Sequence, residues 1–214
     1  MTECKNATFR RPADMGILPV WDSESKILMV GSITSIDGMK KGFYYASQTN
    51  QLWRLVDYCI NSNEFLELKN KLLENYKLFE QNKQDQDSFE HNKLIIKNEF
   101  KASLHKYNIA LCDIFTECYF KNNSSLDGDI ILNSNNYPFK TSKDIIQHIV
   151  DNSKIKVVIV NSSKVEEWFN KLGIKGNYKL IKVVSPSPAR RVKLEIKQSE
   201  WKDAFNKAFS EINK

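Results

Sequence analysis

The chain lacks paired cysteines: its four, Cys4, Cys59, Cys112 and Cys118, are scattered with no Cys-x-x-Cys among them. That excludes a zinc knuckle and a disulfide framework, and makes reduced, mostly buried thiols the expectation. The three histidines, His91, His105 and His148, have no metal-ligand spacing with one another or with the cysteines, so no metal site and no cofactor is expected. No stretch approaches the roughly 20 consecutive apolar residues of a membrane span, and residues 1–11 carry charges with no apolar block behind them. The expectation is a soluble protein that stays inside the cell, in the cytoplasm. The Gly-x-Gly-x-x-Gly of a dinucleotide site and the phosphate-loop lysine after Gly-x4-Gly are both missing, as is any internal repeat or sharp change of composition that would mark a second domain.

What is present is a chain of 214 residues with 41% apolar, 11% aromatic and 27% charged residues. That is enough for one domain, 1–214, with a full core, and it excludes a disordered or fibrous chain. The net charge is +6, from 32 basic and 26 acidic residues. Residues 175–214 hold 10 basic and 4 acidic residues, which leaves 22 of each in the rest, so the whole excess sits at one end. Such an excess suits either a surface facing a polyanion or a solvated basic tail.

Four short apolar runs read as strands: residues 26–30, 108–114, 156–160 and 178–184. Between them, residues 50–60 place Leu52, Trp53, Val56 and Ile60 at the spacing of an amphipathic helix, and residues 142–150 repeat it with Ile145, Ile146 and Ile149. Ser163 with Glu166 three residues on reads as a capping box for a helix carrying Val165, Trp168, Phe169 and Leu172, which Gly173 closes. Strands alternating with helices predict an α/β fold, a three-layer α-β-α sandwich around a four-stranded, mainly parallel sheet. Residues 61–106 are polar with Phe65, Leu68, Leu72 and Leu73 at helical spacing, and read as a helical insertion or long helical pair. Residues 121–137 read as an asparagine- and serine-rich loop.

Ligands of a parallel sheet sit outside the carboxyl ends of its strands, which selects the segments after Val30, near Asp113, after Val160 and after Val184. After the first strand come Gly31-Ser32-Ile33-Thr34-Ser35, then Gly42-Phe43-Tyr44-Tyr45 and Asn50-Gln51-Leu52-Trp53-Arg54; three of the seven glycines fall between 31 and 42, a concentration that lets backbone approach a ligand. After the last strand, Ser185-Pro186-Ser187-Pro188-Ala189-Arg190-Arg191 joins hydroxyls and arginines to a proline-stiffened backbone. It suits a grip on phosphates or a plain connection between elements.

These blocks together resemble the uracil-DNA glycosylase superfamily, and most closely its hypoxanthine-DNA glycosylase branch. The similarity runs through Leu18-Pro19-Val20, Ile27 to Ser32 with its closing Gly-Ser, Gly42-Phe43-Tyr44-Tyr45, Thr49 to Arg54 (similar to Asn-x-Phe-Trp), Asn108 to Ile114 with Ser125-Leu126-Asp127, Ile159-Val160-Asn161, and Ser187-Pro188-Ala189. The resemblance implies a DNA repair enzyme that flips a deaminated base, hypoxanthine or uracil, out of damaged DNA and hydrolyses its N-glycosidic bond, without metal, cofactor or covalent intermediate, acting as a monomer in base excision. The chain departs from the family at Thr34, where a proline is common, at Cys112 in place of a tryptophan, at Pro186 in place of a threonine and at Arg190 in place of an asparagine.

Carried onto this sequence, the resemblance makes Asn50 the catalytic amide. An amide offers an acceptor and two donors, and orients water or holds a base without changing charge. Asn50 also directly precedes an amphipathic run, where it reads as a helix cap. Gly31, Ser32, Phe43, Tyr45, Asp113 and Asn161 are the expected base-binding residues. The aromatics read either as a stacking wall or as core, with at most two of residues 43–45 sharing the pocket, and Asp113 either as a base acceptor or as a loop holder. Ser185, Ser187, Pro188, Ala189, Arg190 and Arg191 are the expected DNA-binding residues. Two other functions fit the altered positions: a DNA-binding module of this fold that has lost hydrolysis, and a glycosylase for another modified or mismatched base. A fold-level likeness alone is the bland alternative.

Overall fold

The computed structural model describes residues 7–121, 127–132, 136–188 and 191–214. Its centre is a parallel sheet of β2 (Ile27–Gly31), β3 (Ile109–Asp113), β7 (Val157–Val160) and β8 (Lys179–Lys182), in the order β3-β2-β7-β8. Ile27 stands beside both Ile109 and Val157, and Val157 beside Lys179. The three inner runs are apolar throughout because the sheet is covered on both faces. Alternate residues separate cleanly: Ile27, Met29, Ile109, Leu111, Val157 and Ile159 enter one core, and Leu28, Val30, Ala110, Cys112, Val158 and Val160 the other. The predicted α-β-α sandwich is therefore the architecture found.

One face is covered by α2 (Leu52–Ile60), α3 (Glu64–Glu80), α4 (Gln86–Lys106) and α7 (Leu194–Ile212). The polar stretch of residues 61–106 is indeed a helical pair, and it is bound into the core by rings. Trp53 of α2, fully buried, lies 5.3 Å from Phe65 of α3 and 5.0 Å from Phe100 of α4. The other face carries α5 (Lys143–Asn152) and α6 (Ser163–Leu172).

Three sequence expectations need correction. The strand expected from residue 108 starts at Ile109, since Asn108 is left-handed at φ 54° and turns the chain in from α4. The cap of α6 is Ser162, not Ser163: Ser162 is extended and its Oγ accepts from Val165 N at 3.1 Å, so Ser163 is already the first helical residue. A second, antiparallel sheet was not expected at all. It pairs β1 (Ala7–Arg10) with β4 (Phe115–Lys121), and β4 with β5 (Ile130–Ile131) and β6 (Lys140–Thr141). β4 follows β3 after a single residue, Ile114, and buries Phe115, Cys118 and Phe120 under α5 and α6. Part of the expected polar loop thus belongs to strands.

Among the described residues no helix is long and apolar enough to cross a membrane, and no three His, Cys, Asp or Glu side chains are grouped to hold a metal ion. Cys59 lies in the α2 core, while Cys112 and Cys118 lie in the core on the opposite face of the sheet. Burial pushes the Cys59 thiol up to about 12 and the Cys112 thiol higher still. Both stay protonated and inert at neutral pH.

Candidate functional site

The chain leaves β2 for the helices on one face of the sheet and leaves β7 for α6 on the other, so the strands part company between β2 and β7. A crevice opens there at the carboxyl ends, as parallel sheets require. It is a cavity of about 450 Å³, within the usual range for a small-molecule pocket. Gly128 contributes at one point, and the rest of the wall comes from four segments. Ser32 to Ser35 follow β2, Tyr45, Ser47, Thr49 and Asn50 lead into α2, Asn161, Ser162 and Lys164 follow β7, and Ser185 to Pro188 follow β8.

The floor is built around Gly31. A Cβ there would lie 2.5 Å from Asp113 Oδ1 and closer still to Tyr45 Oη, so only glycine lets the two oxygens converge over the end of β2. Tyr45 reaches the spot because its backbone is left-handed at φ 52°, a conformation that costs a bulky residue about 1–3 kcal/mol and is held by its surroundings. Its hydroxyl accepts from Asn161 Nδ2 at 2.7 Å. Asp113 stands beside Gly31 in the β2–β3 register and is 6% exposed, and its Oδ2 accepts from Thr34 Oγ1 at 2.9 Å. The carboxylate lies behind the cavity wall, and the Thr34 hydroxyl stands between it and the interior.

Asn50 lines the cavity but is not the cap of α2, which is Gln51; from one residue before the cap its Oδ1 still accepts from Leu52 N at 2.9 Å, the first residue of the helix. The cap reading of Asn50 is corrected by one residue, while the bond to Leu52 N occupies the amide oxygen and leaves the side chain at the wall. With the oxygen engaged, the NH2 end is what the amide presents as a donor. The loop that carries it is tied down by two lysines. Lys69 of α3 donates to Gln48 O at 3.0 Å and Asn50 O at 2.6 Å. Lys197 of α7 donates to Gln51 Oε1 and Ser187 O, each at 2.9 Å, and Gln51 N donates to Pro186 O at 3.1 Å. Together these bonds join the Asn50 loop to the serine-proline loop across the cavity mouth. Burial lowers the pKa of Lys69 to about 8, against a partial offset from Asp37, and lowers that of Lys197 as well.

Of the expected base-binding residues, Ser32, Tyr45 and Asn161 line the cavity, while Gly31 and Asp113 lie directly behind it. Phe43 does not join them. It is 2% exposed and stacks at 4.5 Å on Phe100, because the left-handed turn at Gly42 sends it down into the core. Tyr44 is buried too, its carbonyl accepting from Trp53 Nε1, so Tyr45 alone of the three aromatics faces the site. Of the expected DNA-binding residues, Ser185, Ser187 and Pro188 line the cavity, and Arg191 is exposed beyond it. Ala189 and Arg190 lie outside the described residues, as do Ser125 and Leu126.

Sequence reasoning missed Ser47, Thr49, Ser162 and Lys164, and above all Lys69 and Lys197. The last two carried a readable signal. Lys69 falls on the same helical face as Phe65 and Leu72, and Lys197 on that of Trp201 and Phe205, so each is a lysine inside an apolar stripe. Chemically, the cavity is hydrogen-bonding, and its described lining residues include no carboxylate. Among its described lining residues the only charged side chain is Lys164, and the rest offer hydroxyls, amides and backbone. Such a site fits an uncharged heterocycle attached to an anionic chain, and it holds no carboxylate pair for acid–base work.

No family model matches the sequence, and no curated protein matches it. Among solved structures, the fold is similar to the solution NMR structure of a putative uracil DNA glycosylase from Methanosarcina acetivorans, with a TM-score of 0.59 and 21% identity over 94% of this chain and 99% of that one. At that identity the likeness is one of fold.

Proposed function

We propose that the protein is a monofunctional DNA glycosylase that takes a deaminated base, hypoxanthine first and uracil second, out of the duplex and hydrolyses its N-glycosidic bond to leave an abasic site. The observation that carries this reading is the convergence of Asn50, Tyr45, Asn161 and the serine-proline loop on one hydrogen-bonding cavity at the carboxyl edge of the sheet. The shared fold with a protein described as a putative uracil DNA glycosylase supports it.

In this reading the flipped base enters the cavity lined by Tyr45 and Asn161, and hydroxyls and backbone of residues 185–188 hold the adjacent phosphate. Departure of the base leaves positive charge on the sugar, so the site has to place an attacking water and stabilise the leaving base. The Asn50 amide suits the first task because it is fixed at both its backbone and its side-chain oxygen. No step needs a metal or a covalent enzyme intermediate.

A single-turnover assay tests this, with excess protein, labelled duplexes carrying hypoxanthine, uracil, xanthine or a mismatched thymine, and alkali to cleave abasic sites. Cleavage of at least one duplex is expected, with Asn50→Ala slowing it by about 10²–10³-fold, the usual effect of removing one positioned catalytic hydrogen-bonding group. Duplex binding with no cleavage of any substrate would replace this function with that of a binding module.

A further inference from the structure

The helical pair of residues 64–106 reaches the loop of residues 48–50 through the ammonium group of Lys69. Lys69 projects from α3 on the same side as Phe65 and Leu72, is 4% exposed, and ends on two backbone carbonyls, Gln48 O at 3.0 Å and Asn50 O at 2.6 Å. A buried lysine is costly unless its charge is met by acceptors, and the acceptors it meets here belong to residues flanking the cavity wall. The Asn50 side chain is held separately by Leu52 N. Lys69 fixes where the Asn50 backbone lies, and the Leu52 N bond fixes how its side chain is turned. The charged groups around Lys69 are Asp37 and Lys41 of α1 (Ile36–Lys41), which are themselves ion-paired to each other. Asp37 also lies beside Ser47 and Gln48; against the opposing effect of burial, their polar groups help to hold its carboxyl below the usual range.

We infer that Lys69 is a positioning residue for Asn50, and that the α3–α4 pair serves the active site by delivering this brace. The inference rests on the glycosylase reading for its catalytic half only. The mechanical half, that Lys69 orders residues 47–51, stands without it.

The test compares the wild-type protein with Lys69→Met, Asn50→Ala and the double variant. Amide hydrogen exchange of residues 47–51 should quicken by about tenfold or more in Lys69→Met, with exchange in β3 unchanged. Single-turnover cleavage at saturating protein should slow by about 10–100-fold while duplex affinity stays within about twofold. The double variant should be no slower than Asn50→Ala alone, because a residue acting through Asn50 has nothing left to position once the amide is gone. Unchanged exchange would overturn the brace, and fully additive rate losses would overturn its action through Asn50. If Lys69→Met does not fold, Lys69→Gln, which keeps N–H donors on a shorter stem, carries the same measurements; unfolding of both would make Lys69 a requirement of the whole fold and overturn the inference. A wild-type protein that cleaves no substrate would remove the catalytic half, while the exchange result still decides the brace.

Discussion

Gly31 and Lys69 show how single residues set the geometry of this site. At Gly31 the missing side chain is the functional feature, since a Cβ would collide with Tyr45 Oη and Asp113 Oδ1. Gly31→Ala should therefore destabilise the protein by about 1–3 kcal/mol, the usual cost of overpacking a tight interior, and should displace Tyr45 from Asn161. Urea unfolding and the tyrosine environment seen by NMR check this; an unchanged midpoint with an unmoved Tyr45 would sink it. Lys69 makes a prediction in pH. Burial lowers its folded pKa to about 8 from an ordinary 10.5, so between those values the unfolded chain binds more protons than the folded one. The contribution of this group to stability therefore rises with pH across that window, and below it the buried charge weighs on the fold in full. The unfolding free energy of the wild type minus that of Lys69→Met should increase from about pH 7.5 to about pH 10; a flat or falling difference would contradict the buried ammonium.

At the scale of elements, the site depends on where helices begin. Helix α6 starts one residue earlier than the serine–glutamate spacing indicates, and the consequence is that Ser162 both caps the helix and lines the cavity beside Asn161. Ser162→Ala should cost about 1 kcal/mol in unfolding free energy, as N-cap removals do; a loss near zero would mean that Val165 N finds another acceptor. The helical pair α3–α4 looks separable in sequence, being polar and lysine-rich. Yet Phe65 and Phe100 form the bed on which Trp53 lies. Trp53→Ala should remove about 3–5 kcal/mol, and replacing residues 61–106 by a short linker should abolish cooperative unfolding rather than trim a tolerated insertion. Calorimetry distinguishes these outcomes directly.

For the whole molecule, charge and topology were legible to different degrees. The basic excess of residues 175–214 counts ten cations, but Lys197 is turned inward onto Gln51 and Ser187, and Lys202 onto the carbonyl of Cys59. The cationic surface is thus smaller than the composition indicates. If the exposed Arg191 meets a phosphate, Arg191→Ala should weaken duplex binding about equally for all sequences and lower the salt slope by about one; an unchanged slope would place Arg191 off the DNA path. The four parallel strands, the helices between them and the end of the sheet that bears the cavity could be read from the chain, because continuous apolar runs and helical spacing are local consequences of burial on two faces or on one. Asn161 and the serine-proline loop could be named because each follows a recognisable strand, while Asn50 and Tyr45 are named through the family resemblance. What the chain alone did not reveal depends on contacts distant in sequence. The antiparallel strands are short and partly exposed, so their pairing leaves little local pattern. The burial of Phe43 follows from the turn at Gly42 and the distant Phe100, and the brace from Lys69 exists only because α3 folds back against residues 48–50. Side chains whose surroundings come from neighbouring residues can be assigned from sequence; those whose partners lie far along the chain are decided by the tertiary fold, which alone sets which groups lose water and which find each other.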